Sequence, residues 1–158
     1  MVVLSDSHTD SIDRLPRRIV DELSGADLII HAGDYTAIGL LNELRRRGNF
    51  RGVHGNLDAP EIKRELPALE TISVGGFSIG INHPSEGGTP FGIEDRIRAK
   101  FQDVDAVIFG HTHRTKNEYR NGVLCFNPGS ATGTFPASAR TFGIITVGKE
   151  MRGEILRA

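Results

Sequence analysis

The residues that could carry chemistry stand at the ends of short apolar runs. Val2, Val3 and Leu4 form one such run, and Asp6 and His8 follow it. Consecutive apolar residues are typical of a buried strand, and the loop after a strand of an open α/β sheet commonly carries functional groups. Asp6 and His8 are two residues apart, so an extended backbone would direct both side chains to the same side. A carboxylate oxygen and an imidazole nitrogen together make half of a divalent metal site.

One Asp-x-His pair is weak evidence, because a solvated aspartate beside an unrelated histidine gives the same pattern. Here, however, four further apolar runs also end in residues of the metal-binding type. Seven donors exceed the four of a tetrahedral zinc ion and suit two ions that share a carboxylate, a clamp for in-line displacement at phosphorus. Oxygen and nitrogen donors without thiolate favour Mn, Fe, Zn, Ni or Co over Mg or Ca. The donors are Asp6, His8, Asp34, Asn56, His83, His111 and His113.

The segments between these donors alternate between strand and helix patterns, which predicts an α/β fold with parallel strands and right-handed crossovers. Helical spacing predicts a helix that starts near Asp13 and ends at Ser24, a second over 37–46, a short helical turn over 60–65 and a further helix marked by Ile93, Ile97 and Phe101. The Pro-, Gly- and Ser-rich segment 84–92 is predicted to be a loop. Strands are predicted at 2–4, 27–32, 50–54, 69–74, 77–82, 106–109, 116–120, 123–126, 141–147 and 152–156.

Length, charge and cysteine content limit the kinds of protein that this chain can be. The chain has 158 residues, a formal net charge of −1 and one cysteine, Cys125, which suits one domain over residues 1–158 with a full core. The near-neutral charge is unlike the basic footprint of nucleic-acid-binding proteins, so nucleic acid is not expected as a partner. A lone cysteine cannot form an internal disulfide, which fits a reducing cytoplasm. Neither a secretory signal nor an apolar run of about 20 residues is visible, so no membrane is expected.

The order of the donors resembles the signature of the calcineurin-like metallophosphoesterases. That superfamily's pattern of Asp-x-His, Gly-Asp, Gly-Asn-x-Asp, His and Gly-His-x-His is matched, and a family-like Asn-Pro-Gly-Ser segment follows at 127–130. The length, with no cap domain, is most similar to the small YfcE-like phosphodiesterases, a group that includes the retromer subunit vacuolar sorting protein 29. The matching motifs are Asp6-Ser7-His8, Gly33-Asp34, Gly55-Asn56-Leu57-Asp58, His83 and Gly110-His111-Thr112-His113.

The resemblance implies a four-layer α/β/β/α sandwich of two mixed β-sheets flanked by helices. It also implies two divalent transition-metal ions, with manganese favoured and Ni, Fe, Zn or Co as alternatives. Asp34 would bridge the ions together with a hydroxide, and Asn56 would also position a phosphate oxygen. Asp58 would orient a ligand or a neighbouring loop. The first ion would be held by Asp6, His8 and His113, and the second by Asn56, His83 and His111.

Two positions depart from the wider family pattern. Many relatives carry a histidine, thought to protonate the leaving group, where this chain has Leu57, although an apolar residue there is common in the YfcE-like group. His54, at the preceding strand end, is a catalytic candidate that could reach the substrate phosphate or the leaving group. Pro84 follows His83 where relatives usually have glycine, but no other histidine is available in that segment. His31, among apolar strand residues, is interpreted as structural.

These residues together predict a metal-dependent phosphoesterase, with small phosphodiesters as the favoured substrates. The alternative is a non-catalytic, metal-binding interaction scaffold of the same fold, although a scaffold has no need of all seven donors. A nuclease of the double-strand-break-repair type is a third interpretation, but such chains carry extra segments and basic surfaces. The family resemblance, and apolar Phe135 and Phe142 in a Gly/Pro-rich tail, suggest a homodimer or higher homo-oligomer.

Overall fold

The computed structural model describes residues 1–84 and 92–158, which contain ten strands and four α-helices. Apart from its two end residues, the loop predicted at 84–92 lies outside the described residues. The helices are α1 (Arg17–Ser24), α2 (Ile38–Arg47), α3 (Pro60–Glu65) and α4 (Ile93–Arg98). The strands are β1 (Val2–Leu4), β2 (Ile29–His31), β3 (Phe50–Gly52), β4 (Leu69–Val74), β5 (Phe77–Asn82), β6 (Ala106–Phe109), β7 (Lys116–Arg120), β8 (Val123–Asn127), β9 (Thr141–Val147) and β10 (Met151–Arg157).

The strands form two mixed sheets of five strands each within the described residues. The first sheet has the order β10-β9-β1-β2-β3, in which β1, β2 and β3 are parallel, β9 pairs antiparallel with β1 and β10 pairs antiparallel with β9. The second has the order β4-β5-β6-β8-β7, with β5, β6 and β8 parallel and an antiparallel strand at each edge. The predicted donors lie in the loops that follow five of these parallel strands, namely β1, β2, β3, β5 and β6.

Alternating side chains on the short strands create the layers. On β1, Val2 and Leu4 pack with residues of α1, α2 and α3, whereas Val3 packs with the second sheet. On β6, Ile108 faces the first sheet, while Val107 and Phe109 on the opposite face pack with α4. This period of two places apolar groups on both faces of each sheet. The predicted four-layer α/β/β/α sandwich is thus confirmed. In the described part of the chain no helix is both long and apolar enough to cross a membrane.

The first helix begins later than the sequence pattern predicted. Ser11, rather than Asp13, caps the chain here, because its side chain accepts a hydrogen bond from the Asp13 amide at the start of a 3-10 turn over Ile12–Arg14. Leu15 then adopts an extended backbone, and α1 starts only after Pro16. A proline disfavours the helical conformation of the residue before it, which explains why the turn and the helix cannot join. The third strand is also shorter than predicted and ends at Gly52.

The tail that suggested an oligomer contains one exposed and one buried phenylalanine. Phe142 is fully buried on β9 and packs in the apolar layer beneath the helices, so it is not available to a partner. Phe135 is 89% exposed. Oligomerisation stays a prediction that now depends on Phe135 and the family resemblance, and light scattering over a range of concentrations would check it.

The two sheets approach each other closely around Phe126. The buried ring of Phe126, on β8, fills the space above Gly143 and Gly153, and a methyl group added at either glycine would overlap the ring. Glycine is needed on β9 and β10 here for room rather than for an unusual backbone conformation. The contact of the Phe126 ring with the backbone of these two glycines therefore helps to set the separation of the sheets.

We expect Gly143→Ala to lower the free energy of unfolding by about 1–3 kcal/mol, because the overlap forces Phe126 or the strand to shift. Gly148→Ala is the matched control, since a methyl group there meets nothing closer than the Glu150 carbonyl at 4.0 Å. Urea unfolding of both variants checks this. Equal stability of the two variants would contradict the packing argument.

Candidate metal centre

The structure brings the seven predicted donors together at the carboxyl ends of the parallel strands. Asp6 and His8 follow β1, Asp34 follows β2 and Asn56 lies beyond β3 of the first sheet. The second sheet contributes the other three, His83 directly after β5 and His111 and His113 after β6. Both sheets therefore build one cluster, and its shape depends on how the sheets pack.

One half of the cluster is formed by Asp6, His8 and His113. The Nε2 atom of His113 lies 3.1 Å from Asp6 Oδ1 and 3.3 Å from His8 Nε2. The potential ligand atoms of these three residues all lie within 4.8 Å of one another. Two imidazole nitrogens that face each other beside a buried carboxylate suit a shared cation.

The other half is formed by Asn56, His83 and His111. The side-chain oxygen of Asn56 lies 3.1 Å from His83 Nε2 and 3.0 Å from His111 Nδ1. Asp34 connects the halves, because its Oδ2 atom lies 3.4 Å from His83 Nε2 and 4.0 Å from His8 Nε2. The arrangement is one of two donor groups that meet at a single carboxylate oxygen.

In two of the histidines, Nδ1 is held by a backbone carbonyl, which leaves Nε2 free to bind a metal. His83 Nδ1 lies 2.7 Å from the Ala32 carbonyl oxygen, and His113 Nδ1 lies 2.8 Å from the Thr134 carbonyl oxygen. A carbonyl can only accept, so each ring in its neutral form carries its proton on Nδ1 and presents the Nε2 lone pair to the cluster. This is the usual support for metal-binding histidines. The donor set therefore fits divalent transition metals.

The carboxylates of the cluster attract positive charge. Burial alone would raise the pKa of the Asp34 carboxyl, but the hydrogen bond with His83 lowers it overall. Burial alone would lower the pKa of His83, but Asp34 and Asp6 raise it, and the hydrogen bond to Asp6 raises the pKa of His113. Protons and metal ions would therefore compete for the same nitrogen atoms, so metal affinity should fall in acid.

Burial has the opposite net effect on the other two imidazoles. It lowers the pKa of His8, more than the nearby carboxylates raise it, and it also lowers the pKa of His111. Neutral rings keep a lone pair for coordination at neutral pH. These two histidines are thus available as ligands without losing a proton.

The backbone at most of the donors is strained, contrary to the expected extended loop at Asp6 and His8. Asp6 has φ 50° and His8 has φ 44°, both in the left-handed region that residues with a side chain seldom adopt. Strain of this kind persists only where surrounding contacts hold it, and it is concentrated at functional sites. The other donors with positive φ are Asp34 (60°), His111 (74°) and His113 (55°).

Asp58 holds the loop that bears Asp34. Its buried carboxylate accepts hydrogen bonds from the backbone amides of Asp34 (3.0 Å), Gly55 (2.7 Å) and Thr36 (2.8 Å). The loops after β2 and β3 are thereby tied to one side chain. This contact agrees with the orienting role expected of Asp58, here toward backbone rather than a ligand.

The C-terminal Asn-Pro-Gly-Ser segment supports the cluster in a way that sequence reasoning did not foresee. Ser130 Oγ donates to the Asp6 carbonyl (2.8 Å) and accepts from the Thr134 amide (3.0 Å). Thr134 in turn offers its carbonyl to His113. Ser5 adds a hydrogen bond to Asp6 Oδ2 (2.7 Å). The motif at 127–130 was the available signal, but it carried no hint of these long-range partners.

Gly55 and Gly110 let neighbouring segments pack tightly against the carboxylates. A methyl group at Gly55 would overlap the Asp34 carboxylate, and one at Gly110 would overlap the hydroxyl of Ser5 and approach Asp6 Oδ2 at 2.9 Å. Both glycines precede a donor in the sequence. They are required because the backbone passes directly over the ligand atoms.

His31 lies beside the cluster but has all its polar atoms occupied. Its Nδ1 accepts from the Gly33 amide (3.2 Å), so its proton is on Nε2, which faces Ser7 Oγ at 2.8 Å. The ring stacks on Tyr35 with centroids 3.8 Å apart. Complete burial lowers the pKa of His31 to about 3. These contacts support a structural histidine.

His54 is not joined to the donors by any contact in the part of the chain that the structure describes. It is half-buried, its Nδ1 lies 3.3 Å from the Gly55 carbonyl oxygen, and its amide donates to Pro67. Leu57 is 60% exposed, and its amide donates to Asp34 Oδ1 (2.9 Å). Position 57 therefore contacts the Asp34 carboxylate through its backbone amide rather than through its side chain.

Sequence comparison agrees with this geometry. The family model described as the calcineurin-like phosphoesterase superfamily domain matches residues 1–150. The chain belongs to this superfamily. A probable metallophosphoesterase of Methanocaldococcus jannaschii is 35% identical over 135 residues, which cover 82% of this chain and 67% of that protein.

One further sequence relative and one solved structure match nearly the whole length of this chain. A phosphodiesterase of Methanocaldococcus jannaschii is 25% identical over 170 residues, covering 98% of this chain and 96% of that protein. The crystal structure of Vps29 from Entamoeba histolytica complexed with zinc has a TM-score of 0.75 at 23% identity, covering 99% of this chain and 97% of that one. The second likeness shows the shared fold.

The buried neutral His31 should make the stability of the metal-free protein depend on pH. Since its pKa is lowered in the folded state, only the unfolded chain takes up this proton as the pH falls below about 6.5. The stabilisation is therefore present above that pH and is lost progressively toward pH 3. Between pH 7 and pH 5, we expect wild type to lose about 2 kcal/mol more than His31→Gln.

Urea unfolding in the presence of a chelator at both pH values measures this difference, and the other histidines cancel because both proteins contain them. Parallel losses in wild type and His31→Gln would show that His31 is protonated in the folded protein.

Proposed function

We propose that this protein is a dinuclear metal-dependent phosphodiesterase. The observation that carries the proposal is the meeting of two donor groups at Asp34 Oδ2. Two ions bound there would lower the pKa of a bound water and neutralise charge on the phosphoryl oxygens. The family relationship supports phosphoester hydrolysis in general, and the relative named a phosphodiesterase supports diesters over monoesters.

Each donor has a defined task in this proposal. Asp34 is the shared ligand, and the Leu57 amide on its Oδ1 keeps Oδ2 turned toward both halves. Asn56, held between two imidazoles, would bind the second ion and position a phosphate oxygen. The first ion would be held by Asp6, His8 and His113 and the second by Asn56, His83 and His111. Manganese is the metal that the family resemblance favours, and the mixture of oxygen and nitrogen donors without thiolate suits Ni, Fe, Zn or Co as well.

The first test is to remove the bridging carboxylate. We expect wild type to bind two ions and Asp34→Asn or His111→Ala to reduce hydrolysis of bis(4-nitrophenyl) phosphate more than about 100-fold. The metal-free variants should melt close to metal-free wild type, because both residues lie on loops beyond the buried strands. Steady-state kinetics, elemental analysis and thermal melts provide the measurements.

Asp21→Asn is the matched control, since Asp21 is an exposed carboxylate whose only ion pair in the described residues is with Arg17 on the same helix. One ion in fully loaded wild type, or turnover near that of wild type in Asp34→Asn, would refute the assignment.

The second test concerns the proton for the leaving group. The Leu57 side chain has no proton to give, and loss of a general acid typically costs 10²–10⁴-fold, most of all for poor leaving groups. We therefore expect log kcat/KM on aryl phosphodiesters to fall steeply as the pKa of the leaving phenol rises. A flat dependence, with chemistry rate-limiting, would show that an acid is present.

His54 is the residue that such an acid would implicate. Its Nδ1 faces a carbonyl, so the neutral ring carries its proton there, and Nε2 can donate only when the ring is protonated. If His54→Gln steepens a flat plot, His54 is the acid. If the wild-type plot is already steep and the variant matches it, His54 takes no part in this step.

A non-catalytic metal-binding scaffold is the alternative function. The observation in its favour is the fold shared with Vps29, one structure of which is described as a zinc complex. Metal-loaded protein that binds two ions yet shows no hydrolysis of any aryl phosphodiester would favour the scaffold. Measurable turnover that is lost in Asp34→Asn would exclude it.

A further inference from the structure

A cavity lies beside His113, one of the residues of the donor cluster. It has a volume of about 450 Å³, and His113 lies in its wall together with the adjacent Arg114. The rest of the wall comes mainly from the segment 136–141 and the end of β10, including Ser138, Thr141 and Arg157. The volume lies within the range of small-molecule pockets. His113 is both a member of the cluster and a residue of this cavity wall, so the cavity adjoins the cluster.

The wall of this cavity is cationic and lacks a compensating carboxylate. Among the described residues that line it, none is acidic, while Arg114 and Arg157 are both exposed guanidinium residues. Neither guanidinium has an ion-pair partner in the described part of the chain, whereas Arg14, Arg51 and several others do. A wall with two exposed guanidinium groups and no carboxylate favours a bound anion.

Neighbouring contacts strengthen the positive character. Arg18 Nη1 donates to the carbonyl oxygen of Arg157 (2.6 Å), which brings a third guanidinium to this end of β10. The hydroxyl-bearing residues Thr115, Ser138 and Thr141 also line the cavity. Guanidinium groups and hydroxyls are the donors that bind phosphate oxygens, and arginine does so with two parallel hydrogen bonds.

We propose that this cavity is a subsite for a second anionic group on the substrate, so that the preferred substrates are phosphodiesters with one arm that itself carries a phosphate. This inference rests on the proposed phosphodiesterase function and names the substrate class for it. In this proposal the reacting phosphoryl group would lie at the cluster of donor residues. The arm that runs past His113 places its second phosphate between Arg114 and Arg157.

The experiment compares two substrates that differ only in the second phosphate. They are the 4-nitrophenyl ester of thymidine 5′-phosphate and the same ester with an added 3′-phosphate, both of which release 4-nitrophenol. We expect the added phosphate to raise kcat/KM of the metal-loaded wild type about tenfold or more, mainly through KM. The gain should shrink in Arg114→Gln and in Arg157→Gln and disappear in the double variant.

Two controls separate this subsite from the reaction itself. All variants should hydrolyse bis(4-nitrophenyl) phosphate, which has no second charge, at close to the wild-type rate. Arg46→Gln, which changes an exposed arginine of α2 outside the cavity wall, should keep the full gain.

The outcomes distinguish the two proposals. No turnover of any diester by metal-loaded wild type would overturn the phosphodiesterase function. Turnover of bis(4-nitrophenyl) phosphate with no gain from the 3′-phosphate, or a gain that survives in the double variant, would overturn the subsite alone. A gain that is equally lost in Arg46→Gln would reduce the effect to general surface charge and would also overturn it.

Discussion

The structure depends above all on two carboxylates that are buried without a permanent cation. Asp6 and Asp34 are no more than 2% exposed, and in the described part of the chain neither contacts a lysine or an arginine. Burial of a charge is costly unless it is paired, and the partners here are imidazoles, backbone amides and, for Asp6, the Ser5 hydroxyl. Imidazoles supply positive charge only by taking up protons, which divalent ions can replace. The architecture of the cluster is therefore that of a site completed by cations.

This requirement extends into the surrounding loops. Five of the seven donors adopt left-handed φ angles, a conformation that needs support from elsewhere. The support comes from hydrogen bonds that reach far along the chain, such as those of Asp58 to the Asp34 loop and of Thr132 Oγ1 to the Ser7 carbonyl (2.8 Å). Residues that do not belong to the cluster thus help to hold its strained loops in place.

The sequence predicted what depends on local patterns. Short apolar runs such as Val2-Val3-Leu4 were sufficient to predict the strands of an α/β fold, whereas the four-layer arrangement of two sheets was implied by the family resemblance. The donors at strand ends were sufficient to predict the cluster. What escaped prediction depends on contacts between distant residues. The bond of Ser130 to Asp6 joins residues 124 positions apart. The burial of Phe142 follows from the strand pairing of β9 with β1, and the cationic cavity combines segments that nothing in their spacing connects.

Packing between the sheets and chemistry at the cluster are coupled. The donors after β1, β2 and β3 belong to one sheet, while His83, His111 and His113 belong to the other. The distance from Asp34 to His83 is therefore also a distance between sheets, and the ring of Phe126 against Gly143 helps to set that separation. A shift of about 1 Å in reacting groups can cost about 100-fold in rate. The contact of Phe126 with Gly143 contains no metal donor, yet it helps to fix the distance between the donors of the two sheets.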